Sequence, residues 1–219
     1  MKPTTPNGVK AVIFDVFGTL IEIPNPKRPY RQLLEMARND GIQPPGNVPA
    51  EMMSKRLTLR EAAQLLGVQL SRDIHLRLER ELKDELDSVR MFPEVPEVLR
   101  LLRERGYILA VCSNLAAPYV EPANHLLAPY IDVAIWSCDV GWVKPEPQIY
   151  LSAVRKVGLP ASEVLMVGDT YRTDVAGAQA AGLHARLLDR VGRGSSAVTS
   201  WSTLNALVSS ELPSIRKRN

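Results

Sequence analysis

Cysteine is almost absent from this chain. Cys112 and Cys138 are the only two in 219 residues, and neither lies in a CxxC pair, so a disulfide framework is excluded. Cys112 closes the apolar run Ile108–Cys112, where a reduced, buried thiol is the expectation. Long apolar runs are missing too: none approaches the roughly 20 residues that a membrane-spanning helix needs. Nor is charge of one sign in excess. The 27 basic and 24 acidic side chains leave +3, so electrostatics alone do not point to nucleic acid. Met1–Lys10 is polar, contains prolines and has no apolar signal segment. These absences lead us to expect a cytoplasmic protein without nucleic-acid or membrane partners. The three histidines, His75, His125 and His184, are scattered and suggest no shared chemistry. The terminal Arg216-Lys217-Arg218 cluster reads as a solvated tail.

What is present is ordinary globular material, 45% hydrophobic and 23% charged. The length suits one domain, or a core domain with a small insert. Ala11–Phe14 reads as a buried strand. From Ile21 to Phe92 the texture changes. A proline-rich connector, Pro24–Pro29, leads into a helix from Tyr30 to about Asn39, which Gly41 and Pro44-Pro45-Gly46 break. Thr58-Leu59-Arg60-Glu61 has the form of a capping box ahead of Ala62–Leu66. Ile74, Leu78, Leu82, Leu86 and Val89 recur at helical spacing through Ser71–Arg90. No strand-like alternation occurs in this stretch, so it reads as a helical insert. The leucine face of Ser71–Arg90 serves either internal packing or a dimer surface, and a monomer or a homodimer is expected.

Beyond Pro93, helices and strands alternate. Helices are predicted over Val95–Arg105, Ala117–Leu127, Pro147–Val157 and Asp174–Ala181, and strands over Tyr107–Cys112, Ile131–Ile135, Glu163–Val167 and His184–Leu188. Gly192–Ser196 reads as loop and Thr203–Leu212 as a terminal helix. Such alternation with short links argues an α/β fold, a doubly wound and mainly parallel sheet.

In a parallel sheet the strands end at one edge, so polar residues that follow different strands converge there. Those residues are Asp15, Ser113-Asn114 and Asp169, with Lys144 in a proline-flanked loop. Asp15 is a nucleophile candidate. Asp169 beside it makes a divalent-cation site of hard oxygen donors, the kind magnesium takes. Asp174 can hold a metal-bound water or orient Lys144. Ser113, the Asn114 main chain and Lys144 offer donors and positive charge to an anionic small molecule.

This order of residues resembles the haloacid dehalogenase superfamily of hydrolases, many of them phosphatases. The resemblance runs from about Val9 to Arg190: Asp15-Val16-Phe17-Gly18-Thr19, then Ser113-Asn114, then Lys144-Pro145-Glu146-Pro147 with Tyr150, then Gly168-Asp169 through Asp174. It implies a Rossmann-like core over 9–20 and 93–190, a helical cap over 21–92 that closes on the site and selects substrate, and a tail over 191–219 packed on the core. It implies Asp15 as nucleophile with Lys144 beside it, and Thr19, Ser113 and Asn114 as phosphate contacts. Magnesium would be held by Asp15, the Phe17 carbonyl and Asp169, with Asp174 behind them.

Phe17 departs from the phosphatase pattern. Phosphatases of this superfamily carry a second aspartate there, which protonates the leaving group and then activates water, help worth about 10²–10⁴-fold. The 2-haloacid dehalogenase branch has an aromatic residue instead, since halide needs no proton. That branch also replaces the metal-binding aspartate with serine and has asparagine two positions later, whereas this chain has Asp169 and Tyr171. The resemblance therefore implies a magnesium-dependent phosphatase for small molecules with good leaving groups. The alternatives are a metal-independent 2-haloacid dehalogenase and a catalytically weak phosphate-binding or interaction module. Tyr150, Tyr171 and Arg172 near the motifs, and Arg28, Arg31 and Lys55 in the insert, can equally be packing or solvated groups.

Overall fold

The computed structural model describes residues 8–43, 47–190, 192, 200–210, 212, 213 and 215. The chain opens with β1 (Ala11–Phe14) and turns into β2 (Ile21–Glu22). Four helices follow: α1 (Pro29–Asn39), α2 (Val48–Ser54), α3 (Leu59–Leu66) and α4 (Arg72–Asp87). After β3 (Arg90–Met91) come α5 (Val95–Glu104), β4 (Ile108–Ser113), a 3₁₀ turn over Ala117–Tyr119, α6 (Val120–Leu127), β5 (Val133–Trp136), α7 (Ser137–Val140) and α8 (Pro147–Val157). The chain continues with β6 (Val164–Gly168), a π-helical turn over Tyr171–Ala176, α9 (Gly177–Ala180), β7 (His184–Leu188), β8 (Ser200–Trp201) and α10 (Leu204–Ser210). Among the described residues, no helix is long and apolar enough to cross a membrane.

Six strands form one sheet in the order β5-β4-β1-β6-β7-β8, and every pairing in it is parallel. The strands are buried on both faces, as the near-continuous apolar runs require. Val12, Phe14, Leu109, Val111, Leu165 and Val167 face one core. Ala11, Ile13, Ala110, Cys112, Val164 and Met166 face the other, against α8 and α9. The first core continues without a break into the four helices through Leu33, Met52, Leu59 and Leu78.

Three expectations need correction. The stretch from Ile21 to Phe92 is not free of strand: β2 and β3 pair antiparallel at its base, fastened by Arg90 and Glu22 at 2.8 Å. Two-residue strands have no alternation to read, and they consume the end of the helix expected to reach Arg90, which stops at Asp87. Val48–Ser54 and Ser137–Val140, short and without a periodic stripe, are helical although neither was expected. The helix expected from Asp174 instead starts with a wide π turn at Tyr171, in which the Gly177 N–H donates to the Arg172 carbonyl five residues back, and the Asp174 carboxylate accepts the Thr170 N–H at 2.9 Å. The capping box at Thr58 forms with both of its bonds. The loop at Gly192–Ser196 and the terminal basic cluster fall largely or wholly outside the described residues.

Candidate active site

The carboxyl ends of β1, β4 and β6 lie side by side. Asp15 follows β1 directly, and its N–H donates to the Val167 carbonyl of β6 at 2.9 Å. Ser113 ends β4, and its hydroxyl donates to Asp15 Oδ1 at 3.0 Å. Lys144 reaches in from the loop after α7, across a cis Lys144–Pro145 bond. Its ammonium is 4% exposed as a residue and donates to Asp15 Oδ1 at 2.7 Å and to Asp174 Oδ1 at 2.6 Å. Both protein donors thus engage Oδ1, which leaves Asp15 Oδ2 directed elsewhere.

Asp169 follows β6. One carboxylate oxygen from each of Asp15, Asp169 and Asp174 falls within 4.8 Å of the others. Three carboxylates, Asp15 and Asp174 buried and Asp169 exposed, stand against one ammonium, and this set of hard oxygen donors could hold a divalent cation. The carboxyl of Asp169 feels the other two. Partial burial first, then the charges of Asp15 and Asp174, lift it from the usual carboxylate value to about 6. Burial alone would pull Lys144 down, but Asp15 and Asp174 outweigh it and hold the ammonium well above the usual lysine range. The Cys112 thiol nearby is pushed up to about 12 by burial and stays protonated.

Two glycines let these groups approach. A Cβ on Gly18, whose φ is +89°, would overlap the Asp169 carboxylate, and one on Gly168 would overlap Asp174. Gly18 and Asp169 also line a cavity of about 530 Å³, whose far wall includes Phe92 and Arg190. The carboxylate cluster therefore opens to solvent on the Asp169 side.

The remaining sequence-predicted residues divide. The Asn114 side chain is committed to the main chain of Lys144, accepting from its N–H at 2.7 Å and donating to its carbonyl at 2.8 Å. The side chain thereby fastens the lysine loop, whereas the donor expected to meet an anion is the Asn114 main chain, which these two bonds do not involve. Thr19 is fully buried in the turn after Asp15, its hydroxyl without a partner and its carbonyl held by Arg190 at 2.7 Å. The Phe17 ring meets Tyr119 edge-on at 5.7 Å. Tyr150 is buried and donates to the Thr173 carbonyl, bracing the π turn, whereas Tyr171 is half exposed. Arg28, Arg31 and Lys55 are not brought to the cluster: Arg31 pairs with Glu35 along α1, and Lys55, just past α2, pairs with Glu51. Sequence reasoning missed Glu85, buried on α4. Its signal was present, since it shares the face of Leu78 and Leu82.

Comparison with known proteins places the chain among hydrolases of one family. The chain is 28% identical over 197 residues to a glyceraldehyde 3-phosphate phosphatase from Methanopyrus kandleri, covering 80% of this chain and 82% of that protein. The crystal structure of a haloacid dehalogenase phosphatase from Thermococcus onnurineus superposes with a TM-score of 0.64 at 25% identity, covering 93% of this chain and all of that one. An L-2-haloacid dehalogenase structure superposes with a TM-score of 0.66, also at 25% identity, over 92% and 98% of the two chains. A family model spans residues 9–182, from the strand that delivers Asp15 to the glycine that ends the last helix of the site. By that match the chain belongs to the haloacid dehalogenase-like hydrolases.

Proposed function

We infer that this hydrolase is a magnesium-dependent phosphatase for a small phosphorylated metabolite with a good leaving group. The observation that carries this reading is the meeting of Asp15, Asp169 and Asp174, of which only Asp15 and Asp174 are paired with the Lys144 ammonium. The donors fit magnesium: hard oxygens with excess negative charge. Asp15, Asp169 and the Phe17 carbonyl would hold the ion, with Asp174 behind them. When bound, it neutralises charge on the transferring phosphoryl group. The phosphatase named among the relatives supports a phosphorylated substrate.

The protein's own residues account for the rest. Ser113 and Lys144 hold Asp15 by Oδ1, so Oδ2 is the oxygen available for attack on phosphorus. As the Oδ2–P bond forms, the bond from phosphorus to the leaving oxygen breaks and its electron pair departs with that oxygen. Water then attacks the aspartyl phosphate, releasing phosphate and restoring the Asp15 carboxylate. Lys144 stays protonated throughout and offsets developing charge. Phe17 can lend no proton to the departing oxygen, so acyl and aryl phosphates, whose leaving groups are weak bases, are the favoured class. Segment 21–92 acts as the cap over the core formed by 9–20 and 93–190, and selects the substrate. Within 191–219, the described helix α10 packs on that core through Leu204, Leu207 and Val208.

Phe17 itself favours a second reading, a metal-independent 2-haloacid dehalogenase in which Asp15 displaces halide from carbon and water cleaves the resulting ester. A hydrolysis screen of phosphate esters, acyl phosphates and 2-haloacids, each with magnesium and with chelator, separates the two. Phosphate release that chelator abolishes is the expected result. Chelator-resistant halide release would establish the second reading, and binding without turnover across the panel would leave only a phosphate-binding module.

A further inference from the structure

Outside the carboxylate cluster, Glu85 is the one buried carboxylate among the described residues, at 2% exposure. Its two oxygens serve different parts of the molecule. Oε2 accepts the main-chain N–H groups of Lys27 (2.6 Å) and Arg28 (2.7 Å), in the connector that leads into α1. Oε1 accepts the hydroxyl of Tyr119 at 2.8 Å, in the 3₁₀ turn that follows the Ser113 strand. The Tyr119 ring in turn meets Phe17 edge-on, at 5.7 Å and 83°. Arg28, meanwhile, is held at φ +56°, the left-handed region that a side-chain-bearing residue occupies only under constraint.

Packing alone does not explain an acid at this position. Leucine at 85 would extend the stripe of Leu78 and Leu82 with no charge to desolvate. What glutamate adds is a directed link, from the connector through Tyr119 to Phe17. Phe17 stands two residues from Asp15 and begins the turn in which Gly18 N–H donates to the Ile21 carbonyl and Leu20 and Ile21 N–H donate to Val16.

We propose that Glu85 is a positioning residue. Through Tyr119 it fixes Phe17 and the turn that carries Asp15, and it makes that setting depend on where the helices of 29–87 sit. The role is the same whether the electrophile is phosphorus or carbon, so it stands apart from the choice of reaction.

Amide hydrogen exchange on the full-length protein tests it, comparing wild type with Glu85→Ala, Glu85→Gln and Tyr119→Phe. In the alanine and phenylalanine variants, exchange at residues 18–21 is expected to quicken about tenfold, far along the chain from the altered residue. Glutamine restores protection, because its carbonyl accepts the two connector N–H groups while its amide donates to the Tyr119 oxygen. On p-nitrophenyl phosphate with magnesium, the first two variants lose about tenfold in kcat with little change in KM, as expected for a misplaced nucleophile. Faster exchange confined to residues 27 and 28, with 18–21 at the wild-type rate, would overturn the proposal. So would a folded Glu85→Ala protein with wild-type kcat. If Glu85→Ala does not fold, Tyr119→Phe, which removes one oxygen, decides the matter. If the wild type turns over no phosphate or haloacid, the catalytic reading fails while the exchange comparison still judges Glu85.

Discussion

At position 17 the chain lacks the proton that phosphate-ester hydrolysis needs most. Phe17→Asp is therefore expected to raise turnover of alkyl phosphates by about tenfold, the roughly 10²-fold gain from an acid set against the roughly tenfold loss when the Tyr119 contact no longer holds the turn. The same change costs about 2 kcal/mol of stability, since the ring is lost from its edge-on contact with Tyr119 and a carboxylate takes its place. Steady-state kinetics and denaturant unfolding read the two effects separately, and unchanged turnover would mean that leaving-group protonation does not limit the reaction. Asp15→Asn removes the attacking oxygen and is expected to cost at least about 10³-fold in kcat, with the mutant still folded by circular dichroism. Asp15, Ser113 and Asp169 were legible in the sequence because each ends or follows an apolar strand, and Lys144 because prolines flank its loop, whereas Asp174 was legible only through the order of the family's motifs. Asn114 was legible as a position but not as a contact: that both ends of its amide would be committed to Lys144 depends on a loop 30 residues away. Glu85 was harder still: its place on the leucine face was readable, but its partners Lys27, Arg28 and Tyr119 lie 34 to 58 residues away.

Elements carry information in proportion to their period. The strands β1, β4 and β6 are runs of apolar residues ended by polar ones, and their parallel pairing brings the site together. β2 and β3, two residues each, depend wholly on one another across nearly 70 residues of chain, and nothing local announces them. The π turn at Tyr171–Ala176 carries Asp174, whose carboxylate is held by the Thr170 N–H and by Lys144, a contact from 30 residues away that nothing local announces. Helix α3 lies at the opposite extreme, its start written in four consecutive residues. Thr58→Ala removes the bonds of the Thr58 hydroxyl to the Glu61 N–H and carboxylate. The expected loss is about 1 kcal/mol in urea unfolding, with kcat unaltered. A fall in kcat without a fall in stability would instead place α3 in direct contact with substrate.

On the scale of the whole molecule, a nearly balanced charge, 27 basic against 24 acidic residues, conceals one place where balance fails. The carboxyl of Asp169, raised to about 6 by partial burial and by Asp15 and Asp174, ties overall stability to pH and to metal. In the metal-free protein the folded state holds this proton more tightly than the unfolded chain does. Its contribution is therefore fully present below about pH 4 and is lost as pH rises through about 6. Above that, an ionised Asp169 faces two other carboxylates at a cost that a divalent cation removes. Magnesium at about 100 times its dissociation constant should add about 2.7 kcal/mol, a rise of roughly 5–10 °C in Tm for a chain of this size. Thermal unfolding at pH 7.5 should show that rise in full, and at pH 5 it should shrink as protons compete for Asp169. Asp169→Asn separates charge from coordination. The variant should melt higher than the wild type at pH 7.5 in chelator, because the repulsion is gone, and should lose the magnesium shift. A wild-type Tm indifferent to magnesium at both pH values would mean that Lys144 alone balances the cluster, and would turn the choice of reaction toward the chemistry that Phe17 favours.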